Sequence, residues 1–178
     1  VGSGQSFNDS DIVNILDPNL RQRVRDVINK QTGNIYYADV KNLRTLRIYS
    51  SPPIATILGL QYFTGLDTLA IGPINNISHT FSDLTPIRNL TRLKSLQFSK
   101  SNISDLSPLQ NLSAIGELYL QNNQISNISS LQGLTGLRTL WLPGNPLQTI
   151  TPIQGLTNLT NLWINDCQIS NVSALQNL

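Results

Sequence analysis

Residues 134–155, LTGLRTLWLPGNPLQTITPIQG, decide the fold of this chain of 178 residues. Three other stretches repeat the pattern at the same length of 22 residues, namely 90–111, 112–133 and 156–177. When the positions of each copy are counted as places 1 to 22, places 1, 4, 7, 14, 17 and 20 hold leucine or isoleucine, with Val172 as the one valine. No copy can bury these side chains alone, so we expect the copies to stack and share one core.

A fixed period of this length, with leucine at these places, is the signature of a leucine-rich repeat, which supplies one strand and one return turn. The sequence therefore predicts an α/β solenoid with short parallel strands on its concave face and a small helical N-terminal cap. We place six repeats over residues 40–178, starting at positions 40, 63, 90, 112, 134 and 156. The second repeat has five extra residues within GPINNISHT, which predicts a loop after its strand. We expect the array to be truncated at Leu178, because no polar terminal repeat closes it.

The segment before the repeats, residues 7–39, has the pattern of a helical cap, preceded by a flexible lead over residues 1–6. Asp17 followed by Pro18 predicts a helix start, because Asp accepts a backbone N–H there and Pro has none to lose. An apolar face at helical spacing follows, formed by Leu20, Val24, Val27 and Ile28. Gly33 is the expected end of the helix.

Two smaller patterns in the chain each permit a structural and a functional interpretation. Arg21, Arg23 and Arg25 are either the solvated side of the predicted helix or a contact site. Place 12 of the regular repeats holds Ser101, Asn123, Asn145 and Cys167. An asparagine at this place can satisfy backbone groups where the strand turns away. Cysteine is the usual replacement for asparagine in this repeat signature, so we expect Cys167 to be a small buried wall residue rather than a reactive thiol.

Composition and spacing give no sign of catalysis or of a cofactor. A net charge of +2 without a run of Lys and Arg disfavours nucleic acid as a partner, and no apolar run approaches a membrane span. The single His79 reads as an ordinary loop histidine, and no His and Cys spacing suits a metal. We therefore expect no enzyme activity, no catalytic residue, no metal and no cofactor, and we expect a monomer.

The strongest functional signal is a column of side chains at place 8. Side chains alternate across a strand, so burial of places 7 and 9 directs places 6, 8 and 10 to the concave surface. Place 8 holds Arg47, Ala70, Gln97, Tyr119, Trp141 and Trp163 in successive repeats. Aromatic anchors with polar surroundings favour a binding surface, although an aromatic ladder that only stiffens the sheet gives the same pattern. The candidate ligand-binding residues are Arg47, Tyr49, Gln97, Glu117, Tyr119, Gln121, Arg138, Trp141, Asn161, Trp163 and Asn165.

The repeat ending resembles that of the internalins, secreted and surface proteins of Listeria and related bacteria. The motif stands as ISDLSPL at 103–109, ISNISSL at 125–131 and ISNVSAL at 169–175. The cap segments DPNL at 17–20, GNI at 33–35 and ADV at 38–40 are also similar to the family. This chain departs from the family in its 27-residue second repeat. We also expect it to be a fragment without the C-terminal half, where family members carry an immunoglobulin-like junction.

The resemblance implies a protein-binding module at the cell surface or outside the cell, of the adhesin or invasin kind, whose concave sheet holds a host receptor. Some caps of the family bind calcium, and the nearest matching cluster here is Asp9 and Asp11, which suit a helix N-terminus equally well. Three alternatives remain at this point. They are a glycan-binding module that uses the Tyr119, Trp141 and Trp163 rings, an intracellular scaffold, and a structural spacer within a larger surface protein.

Overall fold

The computed structural model describes residues 6–50, 52–73 and 77–178, so most of the expected lead and part of the inserted loop lie outside the described residues. One sheet of six parallel strands forms one wall of the domain, and its strands follow one another in chain order. The strands are β1 (Thr45–Ser50), β2 (Thr68–Pro73), β3 (Ser95–Phe98), β4 (Glu117–Tyr119), β5 (Thr139–Trp141) and β6 (Asn161–Trp163). The return turns carry short 3-10 helices at Leu60–Tyr62, Thr85–Ile87, Ser107–Leu109, Ser129–Leu131, Thr151–Ile153 and Ser173–Asn177. This architecture confirms the predicted solenoid.

The core is the stack of repeated leucines and isoleucines. Neighbouring strands pair in register at every rung, so that Leu96, Leu118 and Leu140 occupy equivalent positions and are all completely buried. The last repeat is the exception, because Val172 is 55% exposed and Leu162 is only partly buried. The described residues include no rung beyond β6 that would cover these side chains.

Each regular strand ends in a turn with one residue in the left-handed conformation. That residue is at place 11 in all four regular repeats, and φ is +52° at Lys100, +56° at Asn122, +68° at Gly144 and +55° at Asp166. The turn aims the next side chain, at place 12, into the interior between rungs. Asn123 and Asn145 are both 2% exposed there.

The two buried asparagines satisfy backbone groups of two rungs at once. Asn145 Oδ1 accepts the N–H of Ile125 at 3.1 Å, and its Nδ2 donates to the carbonyls of Leu120 and Leu142 at 2.9 and 2.8 Å. Asn123 makes the corresponding bonds one rung earlier. At Cys167 the thiol makes only a weak contact with the Leu142 carbonyl, at 3.5 Å. The thiol is thus a half-buried wall atom.

His79 is not the ordinary loop histidine that its sequence position suggested. Its side chain is completely buried, and its Nδ1 accepts the N–H of Ile54 at 3.1 Å. Once the five inserted residues are set aside, His79 falls at place 12 and takes the part that asparagine takes elsewhere. Its Nε2 has no hydrogen-bond partner among the described residues.

The cap contains the predicted helix, but its bounds differ. Helix α1 (Pro18–Ile28) starts at the Asp17 N-cap as predicted. It ends five residues before Gly33, because Asn29 adopts the left-handed conformation with φ of +53° and serves as its C-cap. Val27 is 43% exposed rather than part of the buried face.

The residues on either side of α1 form the rest of the cap. Before the helix, Ile12 forms an isolated antiparallel bridge with Tyr36. A second short helix, α2 (Tyr37–Val40), leads into the first repeat across the boundary expected after residue 39.

Asp17 also ties the cap to the repeats. Its Oδ1 accepts the N–H groups of Asn19 and Leu20, which caps α1. Its Oδ2 accepts the N–H of Ala55 in the first repeat at 2.7 Å. A second bond runs from Asn19 Nδ2 to the carbonyl of Pro53 at 2.7 Å. The same carboxylate therefore fixes the start of the helix and its position on the solenoid.

Candidate functional site: the concave face

The sheet brings the aromatic side chains of place 8 into one strip. Strand pairing sets Tyr119 beside Trp141 and Trp141 beside Trp163. The rings of Trp141 and Trp163 are stacked, with centroids 4.4 Å apart and an interplanar angle of 24°. The Tyr119 and Trp141 centroids lie 6.3 Å apart at 40°. We call these three side chains the aromatic strip.

Alternation along the strands explains why the strip faces outward. Leu118 and Leu140, one residue before Tyr119 and Trp141, are completely buried on the opposite side of the sheet. Trp163 is 39% exposed, while Trp141 and Tyr119 are half-buried by their neighbours. Burial, together with the negative charge of Glu117, raises the pKa of the Tyr119 hydroxyl. Tyr119 therefore presents a neutral phenol.

A separate polar cluster occupies the first half of the concave face. Tyr49 is 45% exposed, and its hydroxyl donates to Gln97 Oε1 at 3.3 Å across the intervening strand. The Tyr49 ring lies over Gly72, where a Cβ atom would come within 3.3 Å of the ring. Arg47 is exposed nearby, but Ala70 is only 3% exposed and contributes little surface. Arg47, Tyr49 and Gln97 thus form a group of their own rather than an extension of the aromatic strip.

The remaining candidates surround the aromatic strip on its two sides. Asn161 and Asn165 are exposed on β6 and just after it, and their side-chain amides donate to Thr139 and Asp166 respectively. Glu117 is exposed on the same side as Asn161. Gln121 differs from them, because it is half-buried and its Oε1 has no partner among the residues described.

Arg138 lies at the margin of the sheet, before β5 begins. It lines a shallow groove together with Glu117 and Lys94. Lys94 was missed because every candidate except Arg138 came from places 6, 8 and 10, whereas Lys94, like Arg138, stands at place 5. The recurrence of basic residues at that place was the available signal.

Metal binding requires acidic, histidine or cysteine side chains that lie close enough together to hold the ion. Across residues 6–50, 52–73 and 77–178, no group of three or more His, Cys, Asp or Glu side chains could hold a metal ion. In the cap, Asp9 pairs with Lys41 at 2.6 Å, and Asp11 accepts the N–H of Asn8. Among the described helices, none is both long and apolar enough to cross a membrane.

Two copies of a leucine-rich repeat family model match residues 117–154 and 135–177. The chain is also similar to a solved internalin of Listeria monocytogenes, with 27% identity over 95% of this chain and a TM-score of 0.71. The chain has a leucine-rich repeat fold similar to that of this internalin. It spans 56% of the length of that internalin. Leucine-rich repeats commonly serve as protein-interaction modules and are typically not enzymes.

Two further solved structures share the fold of this internalin-like domain. Internalin C2 of Listeria monocytogenes is 24% identical, with 98% of this chain and 96% of that chain covered and a TM-score of 0.56. The ectodomain of the Arabidopsis thaliana receptor kinase GASSHO1/SCHENGEN3, solved with CASPARIAN STRIP INTEGRITY FACTOR 2, is 23% identical. That match covers 74% of this chain and 16% of the receptor chain, with a TM-score of 0.63. Among curated proteins, no sequence matches the domain significantly.

Proposed function

We propose that the concave face around β4–β6 binds a protein ligand and that the domain is the recognition module of a secreted or surface bacterial protein. Its action is adhesin-like or invasin-like, its ligand is a host receptor, and it acts outside the cell as a monomer. The observation that carries the proposal is the aromatic strip of Tyr119, Trp141 and Trp163 on the outer side of the sheet. The likeness to an internalin supports the choice of partner.

The energetics of the aromatic strip suit a protein interface. Tryptophan and tyrosine dominate binding hot spots, because their large rings lose contact with water when a partner covers them. The strip lies beside exposed polar groups, with Glu117 and Arg138 on one margin and Asn165 on the other. Such a polar rim contributes to orientation and selectivity rather than to most of the affinity.

The ring geometry favours a protein over a glycan. Sugar rings bind by stacking on an open aromatic face. Trp141 instead has one face against Trp163, with Tyr119 on its other side. A protein side chain can pack on the exposed edges of these rings, which lie side by side along the strip.

The proposal is tested by truncating the rings one at a time and together. We expect Trp141→Ala and Trp163→Ala each to weaken binding by about 2–4 kcal/mol, because each removes an anchor that the ligand desolvates. The paired change should cost less than the sum, since the rings are in contact. Tyr119→Ala should have a smaller effect. The measurement is capture of purified surface proteins of mammalian epithelial cells by the immobilised domain, before and after enzymatic deglycosylation.

A matched control is Tyr36→Ala, which removes an exposed aromatic ring of the cap, 36% exposed, and should leave capture unchanged. Circular dichroism melts of the same variants test the alternative that the rings only stiffen the sheet. In that case the tryptophan variants would melt several degrees lower while capture persisted. Capture that disappears on deglycosylation would favour the glycan-binding module instead.

A further inference from the structure

The cap carries a polar depression that lies outside the concave face. It lies between helix α1 and the antiparallel pair formed around Ile12 and Tyr36, and its volume is about 360 Å³. Four polar side chains line it: Arg21 and Arg25 from α1, and Asn14 and Asn34 from the segments before and after it. We call it the cap pocket. Arg21 and Arg25 are four residues apart on the helix, so both project from the same face.

The positive charges of the cap pocket are not neutralised by acids. Among the described residues, the ion pairs of Arg23, Lys30, Lys41 and Arg92 do not involve Arg21 or Arg25. Arg21 donates to the carbonyl of Ile15, and Arg25 donates to the carbonyls of Lys30 and Gly33. A guanidinium has more N–H donors than these bonds use. Both side chains are therefore held in place while donors remain for a ligand.

The acidic residues nearest in sequence point their charges elsewhere. Asp26 pairs with Arg23, and Asp11 accepts the N–H of Asn8. Asp17 uses both carboxylate oxygens on backbone N–H groups at the start of α1 and in the first repeat. None of these three residues lines the cap pocket.

The remaining lining of the cap pocket strengthens its preference for an anion. Val13, Ile15 and Ile35 line it and are at most 4% exposed. Asn14 and Asn34 also line the pocket, and their side-chain amides are neutral donors beside the two guanidinium groups.

We propose that the cap pocket binds a sulfate or phosphate group. Arginine forms paired hydrogen bonds with such oxyanions, because its planar fork matches two of their oxygens. Two guanidinium groups one helical turn apart can engage one tetrahedral group from the same side. The chain thus has a site for an anionic group that is separate from the protein-binding surface.

The direct test is an NMR titration of the isotope-labelled domain with sodium sulfate, with sodium chloride reduced to hold ionic strength constant. We expect saturable shifts of the Arg21 and Arg25 Nε–H signals and of the Asn14 and Asn34 side-chain amides. Arg21→Gln should raise the dissociation constant for sulfate by about tenfold or more, because the substitution removes a charged hydrogen-bond donor. Arg23→Gln is the matched control, because it removes a charge on the same helix whose guanidinium pairs with Asp26, and it should leave the titration unchanged.

Several outcomes would overturn the proposal. Sulfate shifts that do not saturate, or that persist unchanged in Arg21→Gln, would show that the pocket is not the site. Loss of binding in Arg23→Gln would show a diffuse charge effect. If Arg21→Gln disturbs signals across the cap, Arg21→Lys replaces it, since that change keeps the charge and removes the fork, and it should still weaken binding.

The source of the oxyanion is distinguished by parallel arms. A sulfated heparin tetrasaccharide, inorganic phosphate and vesicles of phosphatidylglycerol in phosphatidylcholine each present the same chemistry in a different form. Tighter binding of the tetrasaccharide than of inorganic sulfate would assign the site to sulfated glycans, and co-sedimentation with the vesicles would assign it to lipid headgroups. Failure of all arms would reject the proposal while leaving ligand capture by the aromatic strip untouched.

Discussion

At the scale of single residues, place 12 is the position where side-chain chemistry matters most to the fold. After β5 the chain leaves the sheet. The Asn145 side chain forms hydrogen bonds with backbone groups of its own rung and of the preceding rung. Buried backbone groups need such partners because water cannot reach them. Cys167 has no amide and makes only one weak contact at the same place. The four regular repeats therefore differ in how well this position is satisfied.

We expect Asn145→Ala to lower the free energy of unfolding by about 1–3 kcal/mol, since it leaves buried N–H and C=O groups unpaired. Cys167→Ser should change it little and leave ligand capture intact, because the thiol is only half-buried. Urea unfolding followed by circular dichroism measures both. An alanine variant as stable as the parent would refute the bridging role, and lost capture in the serine variant would refute the structural reading of the thiol.

His79 offers a second test of the same position. Changing it to asparagine should keep stability within about 1 kcal/mol, because asparagine supplies the acceptor that Ile54 N–H needs. His79→Leu has a similar size but no acceptor, and it should cost about 1–3 kcal/mol. The contrast is read from urea midpoints of the two variants. Equal stability of the two would mean that the bond to Ile54 contributes nothing.

The aromatic strip could be predicted from the sequence, whereas the burial of His79 could not. Alternation across a strand depends only on the count from the buried leucine, so Trp141 and Trp163 were placed correctly. His79 follows an insertion, and its place emerges only if one counts back from Phe81 at place 14. The shared surface of the Tyr49 and Gln97 pair was also out of reach, because it depends on Gly72 leaving room between them.

At the scale of elements, the left-handed turn after each regular strand could not be predicted from the sequence. Place 11 holds lysine, asparagine, glycine and aspartate in the four regular repeats, so no residue type marks its shared left-handed conformation. The helix end in the cap was missed similarly, since Asn29 rather than Gly33 takes that conformation. Asparagine tolerates it because its short polar side chain can bond locally. Backbone geometry was thus conserved across rungs while residue identity was not.

We expect Gly144→Ala to destabilise the domain by about 1–2 kcal/mol, because a side chain in the left-handed region is strained. The new Cβ would also lie 2.5 Å from Asn122 Oδ1. Gly133→Ala is the matched control, since nothing lies within 4 Å of its Cβ position and it has no positive φ. Thermal melts of the pair give the comparison, and equal melting temperatures would contradict the account of the turn.

At the scale of the whole molecule, the cap and the first repeat form one structure. In a solenoid each unit is stabilised by its neighbours, so a missing end cover lets the array fray inward. Ile15 is completely buried, and a Cβ at Gly59 of the first repeat would come within 2.9 Å of its backbone. The order of elements could be predicted from the repeat pattern. This close contact could not, because it depends on the course of the segment before α1, which the sequence did not predict.

We expect deletion of residues 7–39 to cause aggregation or a lower melting temperature, because it uncovers the leucines of the first repeat. Within the intact chain, Asp17→Ala should cost about 2 kcal/mol, since it removes both the helix cap and the bond to Ala55. Asp83→Ala is the control, because Asp83 accepts only the nearby N–H of Thr85. A soluble truncation that melts like the parent would overturn the assignment of the cap.

The shared register of the rungs has a consequence for how such a domain can change over generations. A gene duplication of one full 22-residue unit adds a rung whose strand, turn and place-12 side chain meet neighbours of the same geometry. A partial unit would shift every later leucine out of phase. Recombination can therefore lengthen or shorten the array by whole rungs, and a copy made from residues 134–155 would insert another tryptophan into the aromatic strip. The length of the contact surface can thus change through the number of repeats, independently of substitutions at the residues that determine its specificity.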